Sequence, residues 1–499
     1  MKKYTYTFLI NLSLISFLGI TLSCDNFLDE VPDNRVALDN LDKASQLLTS
    51  AYSNAGYSFT EWMTDNVGFT RSVDIRPEHA QAYAWEDFTG SIGEVDTPDF
   101  FWFQTYNAIA HANEVLAIID ELPAENQEEL AHKDAVEAEA LLTRAYGHFM
   151  LVNLFGKHYD RVRSSADQGI PYIEIPETSF VQQYERNSVR EVYDFVERDL
   201  LRGIELVDDS FYANSGKYHF NKNAALAFAS RYYLYKGEYE KCIEFSDELL
   251  GGDPSFFVRD LTSNEFQVAK ASAQEFPRLY SSPNLPSNLM LMRKISLYHA
   301  PGIGHGPTST IYSDLFNSNF FLGTTDEREN PAFVKGDNGI FPLRYEFLFE
   351  RSGLNSNVGF NYHIHIPFRG EEVLLNRAEA LIEENRLGEA IADLQVLVDR
   401  RYSGPPASLS IDLLRTVFGV QGNPFVSDQL VVRIFMQYER QKEFIIQGLR
   451  WFDIKRYELE VIHDRLDGSF IILDENDKRK VLQIPISAIE VGGLKPNPR

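Results

Sequence analysis

The sequence predicts a mainly α-helical protein, and the periodicity of its apolar residues is the first reason. Apolar side chains recur at three- and four-residue spacing in 101–121 and 133–155, as on one face of a helix. Alternation of apolar and polar residues, which is typical of strands, is brief, and the two candidates are 170–175 and 481–486. The helical spacing predicts further helices at 41–53, 188–207, 223–236, 239–250, 370–384, 387–402 and 432–457.

Two pairs of neighbouring helices share one spacing of small residues, which is the second reason. The pairs lie at 229–250 and 374–400. Ser230 and Cys242 are twelve residues apart, and so are Ala378 and Ala390. Small residues at matched places let two helices pack closely, as in tetratricopeptide repeats, so we expect a helical-repeat scaffold. Cys242 is then interpreted as a buried small side chain and not as a reactive thiol.

Composition excludes several classes of protein. Of 499 residues, 47 are basic and 73 acidic, which gives a formal net charge of −26. Such a surface repels phosphate backbones, so nucleic acid is not an expected partner. It also disfavours polyanionic ligands, except where a local basic patch overrides the global charge. The chain has only two cysteines, which excludes a disulfide framework.

The N-terminus reads as a secretory signal. Lys2 and Lys3 precede an apolar stretch of about 13 residues that leads to Cys24, and a helix of that length is too short to span a bilayer. The predicted organisation is a signal peptide at 1–23, a lipidated Cys24 with a tether to residue 40, and one body at 41–499. The alternative for the first segment is an uncleaved anchor helix.

Motifs spread along the chain resemble the SusD/RagB-like family of nutrient-binding lipoproteins. They are CDNFLDEVP at 24–32, ANEVL at 112–116, AEALLTRAY at 138–146 and, most specific, GLRWFDIKRY at 448–457. The resemblance covers nearly the whole mature chain. It implies a SusD-like helical scaffold built on tetratricopeptide-like helix pairs, with long irregular loop regions that carry the binding face. In the last motif, Trp451 and Phe452 are expected in the core. Arg450 and Asp453 of the motif, and Glu443 shortly before it, are expected as paired buried charges.

The resemblance also implies a function. Members of this family lie lipid-anchored on the extracellular face of a Gram-negative outer membrane, cap a SusC-like TonB-dependent transporter and deliver a glycan to it. RagB-like members capture peptide, which stays open as the alternative. A pure assembly scaffold and a hydrolase rank lower. The sequence carries no GxSxG, HExxH, P-loop or dinucleotide-binding motif, so neither an enzyme nor a cofactor is expected.

Two loop-rich regions, 54–100 and 251–365, are expected to hold the ligand. A saccharide needs aromatic faces for the C–H side of its rings and planar polar groups for its hydroxyls, and both regions contain them. Trp85 is the leading stacking residue, and the alternative is that it seals the loop onto the helices. The full set of candidates is Trp62, Asp65, Asn66, Arg71, Asp74, Tyr83, Trp85, Tyr280, Tyr298 and Tyr312.

No metal site is expected. His363 and His365 alternate on a short extended piece, but the sequence places no third ligand beside them. The segment 326–329 (DERE) lacks the ligand spacing of a calcium loop, so it is interpreted as a solvated turn with internal ion pairs.

Overall fold

A computed structural model describes residues 38–70, 76–177, 182–212, 215–297, 304–316, 321, 323–335, 337–354, 356–404 and 408–499. The predicted signal peptide, Cys24, Arg71, Asp74 and Tyr298 lie outside these ranges. Residues Asn40–Arg499 form one compact unit. Within the described ranges, no helix is both long enough and apolar enough to span a membrane.

Helices form about half of the described structure and strands much less, so the fold is mainly helical, as predicted. In chain order they are α1 (Leu41–Leu48), α2 (Pro77–Tyr83), α3 (Pro98–Ile118), α4 (Gln127–Phe155), α5 (Val189–Leu206), α6 (Lys222–Lys236), α7 (Tyr239–Leu250), α8 (Asn264–Ala269), α9 (Glu275–Tyr280), α10 (Ser309–Phe316), α11 (Gly370–Glu383), α12 (Leu387–Arg401), α13 (Ile411–Val417), α14 (Asp428–Phe444), α15 (Arg450–Arg456) and α16 (Ile486–Glu490). The long helix α4 packs between α3 and α5, and its C-terminal half is almost entirely buried.

Side-chain caps explain where several helices begin. The Asn126 side chain accepts a hydrogen bond from the Glu129 amide at the start of α4. Ser188 and Glu191 form a reciprocal capping box at the start of α5. Such caps satisfy amides that have no partner within the helix, and each contributes on the order of 1 kcal/mol.

The predicted helix pairs are present and stack on each other. Helix α6 turns into α7 through Gly237, whose φ of 72° suits a residue without a Cβ. Cys242 on α7 is fully buried, with its Sγ 3.9 Å from Ser230 Oγ on α6 and 3.6 Å from the Asn376 carbonyl oxygen on α11. The small Cys242 side chain therefore lies where the first pair meets the second, as the sequence predicted.

The prediction of one helix over 432–457 is wrong, because the chain breaks between α14 and α15. Ile446 and Gly448 both adopt positive φ, at 62° and 77°. The buried Glu61 carboxylate accepts hydrogen bonds from both of their amides, which compensates for the helical hydrogen bonds that are lost. This partner lies at the other end of the sequence, so local periodicity could not reveal the break.

The strand predictions are also wrong. Neither 170–175 nor 481–486 forms a strand, whereas the region 251–365 contains most of the strands. The described strands are β1 (Gly68–Phe69), β2 (Asn288–Ile295), β3 (His305–Gly306), β4 (Thr325–Asp326), β5 (Ala332–Lys335), β6 (Gly339–Pro342), β7 (Phe347–Arg351), β8 (Gly359–Arg369), β9 (Tyr402–Ser403), β10 (Val461–Asp464) and β11 (Phe470–Leu473). The largest sheet has the order β2-β8-β7 and is antiparallel. Residues 362–369 of β8 are all buried, so both faces are covered and no polar–apolar alternation marks the strand in the sequence.

The three charged residues expected to be paired, Glu443, Arg450 and Asp453, are buried and paired, but not with one another. Each forms a two-contact ion pair with a residue elsewhere: Glu443 with Arg401, Arg450 with Asp65, and Asp453 with Arg440. Trp451 and Phe452 lie in the core, as expected. These pairs connect α14 and α15 to α12 and to the N-terminal loop region.

The segment 326–329 differs from its prediction as a solvated turn. Asp326 and Arg328 do form the expected internal ion pair, at 2.7 Å, but both side chains are almost fully buried. Arg328 also pairs with Glu439 of α14 at 2.7 Å. Burial is tolerated here because every charge has a partner.

Candidate ligand-binding site

Two short strands join the two loop-rich regions that the sequence singled out. Strand β1 pairs with β3, with Gly68 opposite Gly306 and Phe69 opposite His305. A Cβ on Gly306 would lie 2.1 Å from the Phe341 ring, so only glycine fits this close approach. The regions 54–100 and 251–365 therefore meet at one place.

A column of stacked rings stands beside this junction. Tyr83 lies between two imidazoles, with ring centroids 4.1 Å from His305 and 4.2 Å from His463. Trp85 covers the other face of His463 at 4.4 Å. The two ring nitrogens of His463 lie 2.8 Å from the carbonyl oxygens of Tyr83 and Thr64, which fixes the plane of the ring. Burial lowers the pKa of His305 to about 4.

Trp85 closes the outer end of the column. Its backbone adopts a φ of 55°, and its indole N–H donates to the Met63 carbonyl oxygen at 2.9 Å. The guanidinium of Arg479 lies 5.7 Å from the centroid of the Trp85 ring in a cation–π contact. Trp85 is only 3% exposed. Trp85 therefore borders solvent at a small part of its surface and does not present an open face.

A cavity of about 220 Å³ lies against Trp85. Its apolar wall includes Trp85 and Phe88, and its polar lining includes Asp87, Arg479 and Arg499. The Arg499 and Asp87 side chains form an ion pair at 2.6 Å. An aromatic wall beside a few planar polar groups is the chemistry that a saccharide or an amide requires. The volume is below the roughly 300–1,000 Å³ of whole ligand pockets, so the cavity suits one terminal unit of a ligand.

One further acid lines this cavity. Asp99, in the first turn of α3, has little solvent exposure, and burial raises the pKa of its carboxyl to about 6. A carboxyl accepts hydrogen bonds when it is ionised and also donates one when it is protonated, so either form can bind a hydroxyl group.

Three of the candidates near the column are buried among partners within the protein. Trp62 is fully buried, stacks on His79 with centroids 3.8 Å apart, and donates its indole N–H to the His305 carbonyl oxygen. Tyr83 has an imidazole on each face. Asn66 donates to Glu61 and accepts from Gln441. Their faces and polar groups are occupied by the protein itself, so they support the site from beneath.

Asp65, Tyr280 and Tyr312 are also held by protein partners. Asp65 is about one-third exposed and binds the Arg450 guanidinium with both carboxylate oxygens. Tyr280 is buried under the Arg259 guanidinium in a separate apolar cluster. Tyr312 is buried, and its hydroxyl donates to the Glu329 carbonyl oxygen. The structure does not bring either tyrosine to the Trp85 cavity.

Sequence reasoning missed His463, Arg479 and Arg499. They lie about 380 or more residues from Tyr83 and Asp87 along the chain, and no motif marks them. Only the tertiary structure brings the C-terminal region onto α2 and the segment that follows it.

No metal centre is found in the described part of the chain. Within it, no group of three or more histidine, cysteine, aspartate or glutamate side chains is arranged to hold an ion. His363 and His365 are fully buried in the central sheet, and burial lowers the pKa of His363 to about 3. These two histidines belong to the core.

Comparison with known proteins gives matches along most of the chain. A family model described as "Starch-binding associating with outer membrane" matches residues 26–234, and the SusD family model matches residues 352–485. The SusD-like protein P38 of Formosa agariphila is 22% identical, over 91% of this chain and 92% of that relative.

Solved structures match over a similar extent. A SusD superfamily protein from Bacteroides thetaiotaomicron aligns with a TM-score of 0.67 at 18% identity, covering 92% of this chain and 100% of that one. A laminarin-binding SusD-like protein aligns with a TM-score of 0.56 at 19% identity, covering 92% and 99%. At these identities the likeness shows the fold alone.

Proposed function

Since the chain belongs to the SusD/RagB-like family, we propose that it captures an oligosaccharide at the outer-membrane surface and delivers it to a SusC-like, TonB-dependent transporter. In this proposal Cys24 carries the lipid anchor, the protein faces the extracellular medium, and no bond of the ligand is broken. The observation that carries the proposal is the pair of family matches, one in each half of the chain.

The Trp85 cavity supports saccharide as the ligand. The partly exposed Phe88 ring, beside the largely covered Trp85, suits the C–H face of a sugar ring, and Arg479 offers planar donors to hydroxyl groups. One of the solved SusD-like proteins with this fold is a laminarin-binding protein. A neutral glucan is therefore the first ligand to test.

Peptide is the second candidate, and the charge of the same cavity favours it. Glu86, Asp87, Asp99, Arg479 and Arg499 line it, whereas Trp85 and Phe88 are its only aromatic residues among the described ones. Charged groups that bracket a small cavity suit the amide and terminal groups of a peptide at least as well as they suit hydroxyls. The two proposals differ in ligand and share the site.

Affinity electrophoresis against a polysaccharide panel that includes laminarin, followed by calorimetry against a peptide panel, tests both. The protein is the mature chain purified in detergent. The site variant is Arg479→Ala, which removes a guanidinium that is about one-third exposed and lies on the face of Trp85. The matched control is Arg202→Ala, which removes an exposed guanidinium on α5 that also forms ion pairs.

Retardation by one glycan that Arg479→Ala weakens and Arg202→Ala does not would support saccharide capture at this cavity. Binding to a peptide, with no retardation by any glycan, would replace it with the peptide proposal. Retardation that both variants retain in full would keep the function and exclude this cavity as the site.

A further inference from the structure

A second cavity of about 820 Å³ opens between the loop that follows α4, the end of α15 and the C-terminal segments 475–481 and 495–498. Its volume falls within the roughly 300–1,000 Å³ of small-ligand sites. None of the residues that line it was a candidate from the sequence. The segment 477–481 runs between this cleft and the Trp85 cavity. Arg479 lines the Trp85 cavity, and its neighbours Lys478 and Lys480 line the cleft.

The cleft is basic in a strongly acidic protein. Seven lysine or arginine residues and five aspartate or glutamate residues line it, whereas the whole chain has 47 basic and 73 acidic residues. Four of the five acids are engaged in ion pairs: Asp167 with Lys157, Asp160 and Glu458 with Arg163, and Asp477 with Arg479. Three cations therefore offset most of the negative charge of these four acids.

Four lysines of the cleft, Lys455, Lys478, Lys480 and Lys495, form no ion pair with any residue that the structure describes. Of these, Lys478 is exposed and its Nζ donates to the backbone oxygen of Arg499 at 3.3 Å. Lys455 and Lys480 are only 7% and 6% exposed. Leaving a buried charge without a counter-charge costs free energy, so such charges are normally paired.

The hydrogen bonds of the two buried ammonium groups go to neutral carbonyl oxygens, although nearby carboxylates, Glu458 and Asp477 first among them, partly offset the charge of Lys480. Lys455 Nζ donates to the carbonyl oxygens of Asn153 and Gly156, and Lys480 Nζ donates to those of Leu459 and Glu475 at 2.6 and 2.7 Å. An ammonium has three N–H donors, so each has one left. Burial lowers the pKa of Lys455 to about 7, which is the direction expected where no anion is present.

From this geometry we infer that the cleft binds the carboxylate or sulfate group of an acidic saccharide, with Lys455, Lys480 and Lys495 as the groups that hold the anion. The inference rests on the proposed function and specifies its ligand class. A local basic cleft overrides the net negative charge of the chain for a ligand that reaches into it. Around the lysines, Pro496 and Pro498 offer apolar surface, and the amides of Gln168 and Asn476 offer hydrogen bonds to hydroxyl groups.

The test compares one acidic oligosaccharide with its neutral counterpart. Isothermal titration calorimetry of the mature chain uses two pairs of ligands, each an acidic form and its neutral form. The first pair is tetragalacturonate and the same tetrasaccharide after carboxyl reduction. The second is a sulfated galactan tetrasaccharide and its desulfated form. Inorganic sulfate at equal ionic strength is the probe for a free anion. The expected result is that one acidic ligand binds at least about tenfold more tightly than its neutral form, with the preference falling as salt is added.

Lys495 is the lysine to replace, because it is exposed and its loss leaves no buried group without a partner. Lys495→Gln is expected to weaken binding of the acidic ligand about threefold, and Lys495→Glu about tenfold or more, without changing the affinity for the neutral form. The matched control is Lys222→Gln, a partly exposed lysine at the start of α6. Circular dichroism melting checks that each variant is folded.

Three results would overturn the inference. One is equal affinity for the acidic and neutral forms while neutral glycan still binds at the Trp85 cavity, which would leave the proposed function intact. Another is an acidic preference that Lys495→Glu leaves unchanged. The third is inorganic sulfate binding as tightly as the acidic saccharide, which would make the cleft a site for free anions. If no saccharide of any charge binds, the proposed function fails along with the inference.

Discussion

The Glu61 carboxylate accepts a hydrogen bond from the backbone amide of Gly448 at 2.9 Å, joining residues that are 387 positions apart. Its other oxygen accepts from the Ile446 amide at 2.8 Å and from the Asn66 side chain at 2.8 Å. This one side chain therefore holds the break between α14 and α15 against the N-terminal loop region. Burial raises the pKa of Glu61 to about 7, although the three donors favour the ionised form.

Replacing Glu61 with alanine should destabilise the protein on the order of 3 kcal/mol, because three buried donors lose their acceptor. Urea denaturation followed by circular dichroism measures the change. Glu86→Ala, at an exposed glutamate without such contacts, is the control and should change stability by less than about 0.5 kcal/mol. A loss below about 1 kcal/mol for Glu61→Ala would show that the break does not depend on this carboxylate.

The glycine at position 448 should be irreplaceable for a steric reason beyond its φ. Its φ is 77°, and a Cβ there would lie 2.6 Å from the Tyr57 carbonyl oxygen. Gly468 has a similar φ of 82° with nothing within 4 Å, so Gly468→Ala measures the cost of the backbone conformation alone. That cost is about 1–2 kcal/mol, and Gly448→Ala should exceed it by about 1–3 kcal/mol because of the clash. Equal losses of unfolding free energy in the two variants would refute the steric argument.

Lys294 should make stability depend on pH above neutrality. It is buried, its Nζ donates to the Ser53 carbonyl oxygen, and burial lowers its pKa to about 7 from an ordinary value of 10.5. At pH values between these two pKa values, Lys294 is protonated in the unfolded chain and neutral in the folded protein. The unfolding free energy should therefore rise with pH in this window, by up to about 1.4 kcal/mol per unit, and this gain should be lost as pH falls from 10.5 to 7, below which both states hold the proton.

Lys294→Met removes this titration, so its stability curve should be flatter than that of the wild type between pH 7 and 10.5. Urea denaturation at five pH values gives both curves. Lys222→Met is the control at a partly exposed lysine, and it should leave the slope unchanged. Parallel curves for Lys294→Met and wild type would contradict the prediction.

The Cys242 thiol should be inert in the folded protein. It is fully buried between α6, α7 and α11, and burial raises its pKa to about 12, so almost no thiolate exists at pH 8. In a Cys24→Ala variant Cys242 is the remaining cysteine, because the chain has two. A disulfide reagent should therefore label this variant only after urea unfolding. Stoichiometric labelling of the folded protein within minutes would show that the helix pairs open readily.

Local patterns in the sequence determined much of the helical scaffold. The periodicity of 133–155 and the matched spacing of Ser230 to Cys242 and of Ala378 to Ala390 depend on residues within a few turns of each other. Helix formation and close packing of adjacent helices follow from such neighbours, so these predictions were confirmed. The family motifs likewise predicted a mainly helical SusD-like fold.

Contacts between distant parts of the chain decided the rest. Glu61 interrupts the helix predicted over 432–457, and strand β8 is buried on both faces and so lacks the alternation that would have marked it. The aromatic residues that looked like a binding surface are covered by partners far along the chain, such as His463 on Tyr83 and Arg479 on Trp85. The sequence shows which side chains are aromatic or charged. Whether such a side chain binds a ligand depends on which of its faces remain open, and only tertiary packing decides that.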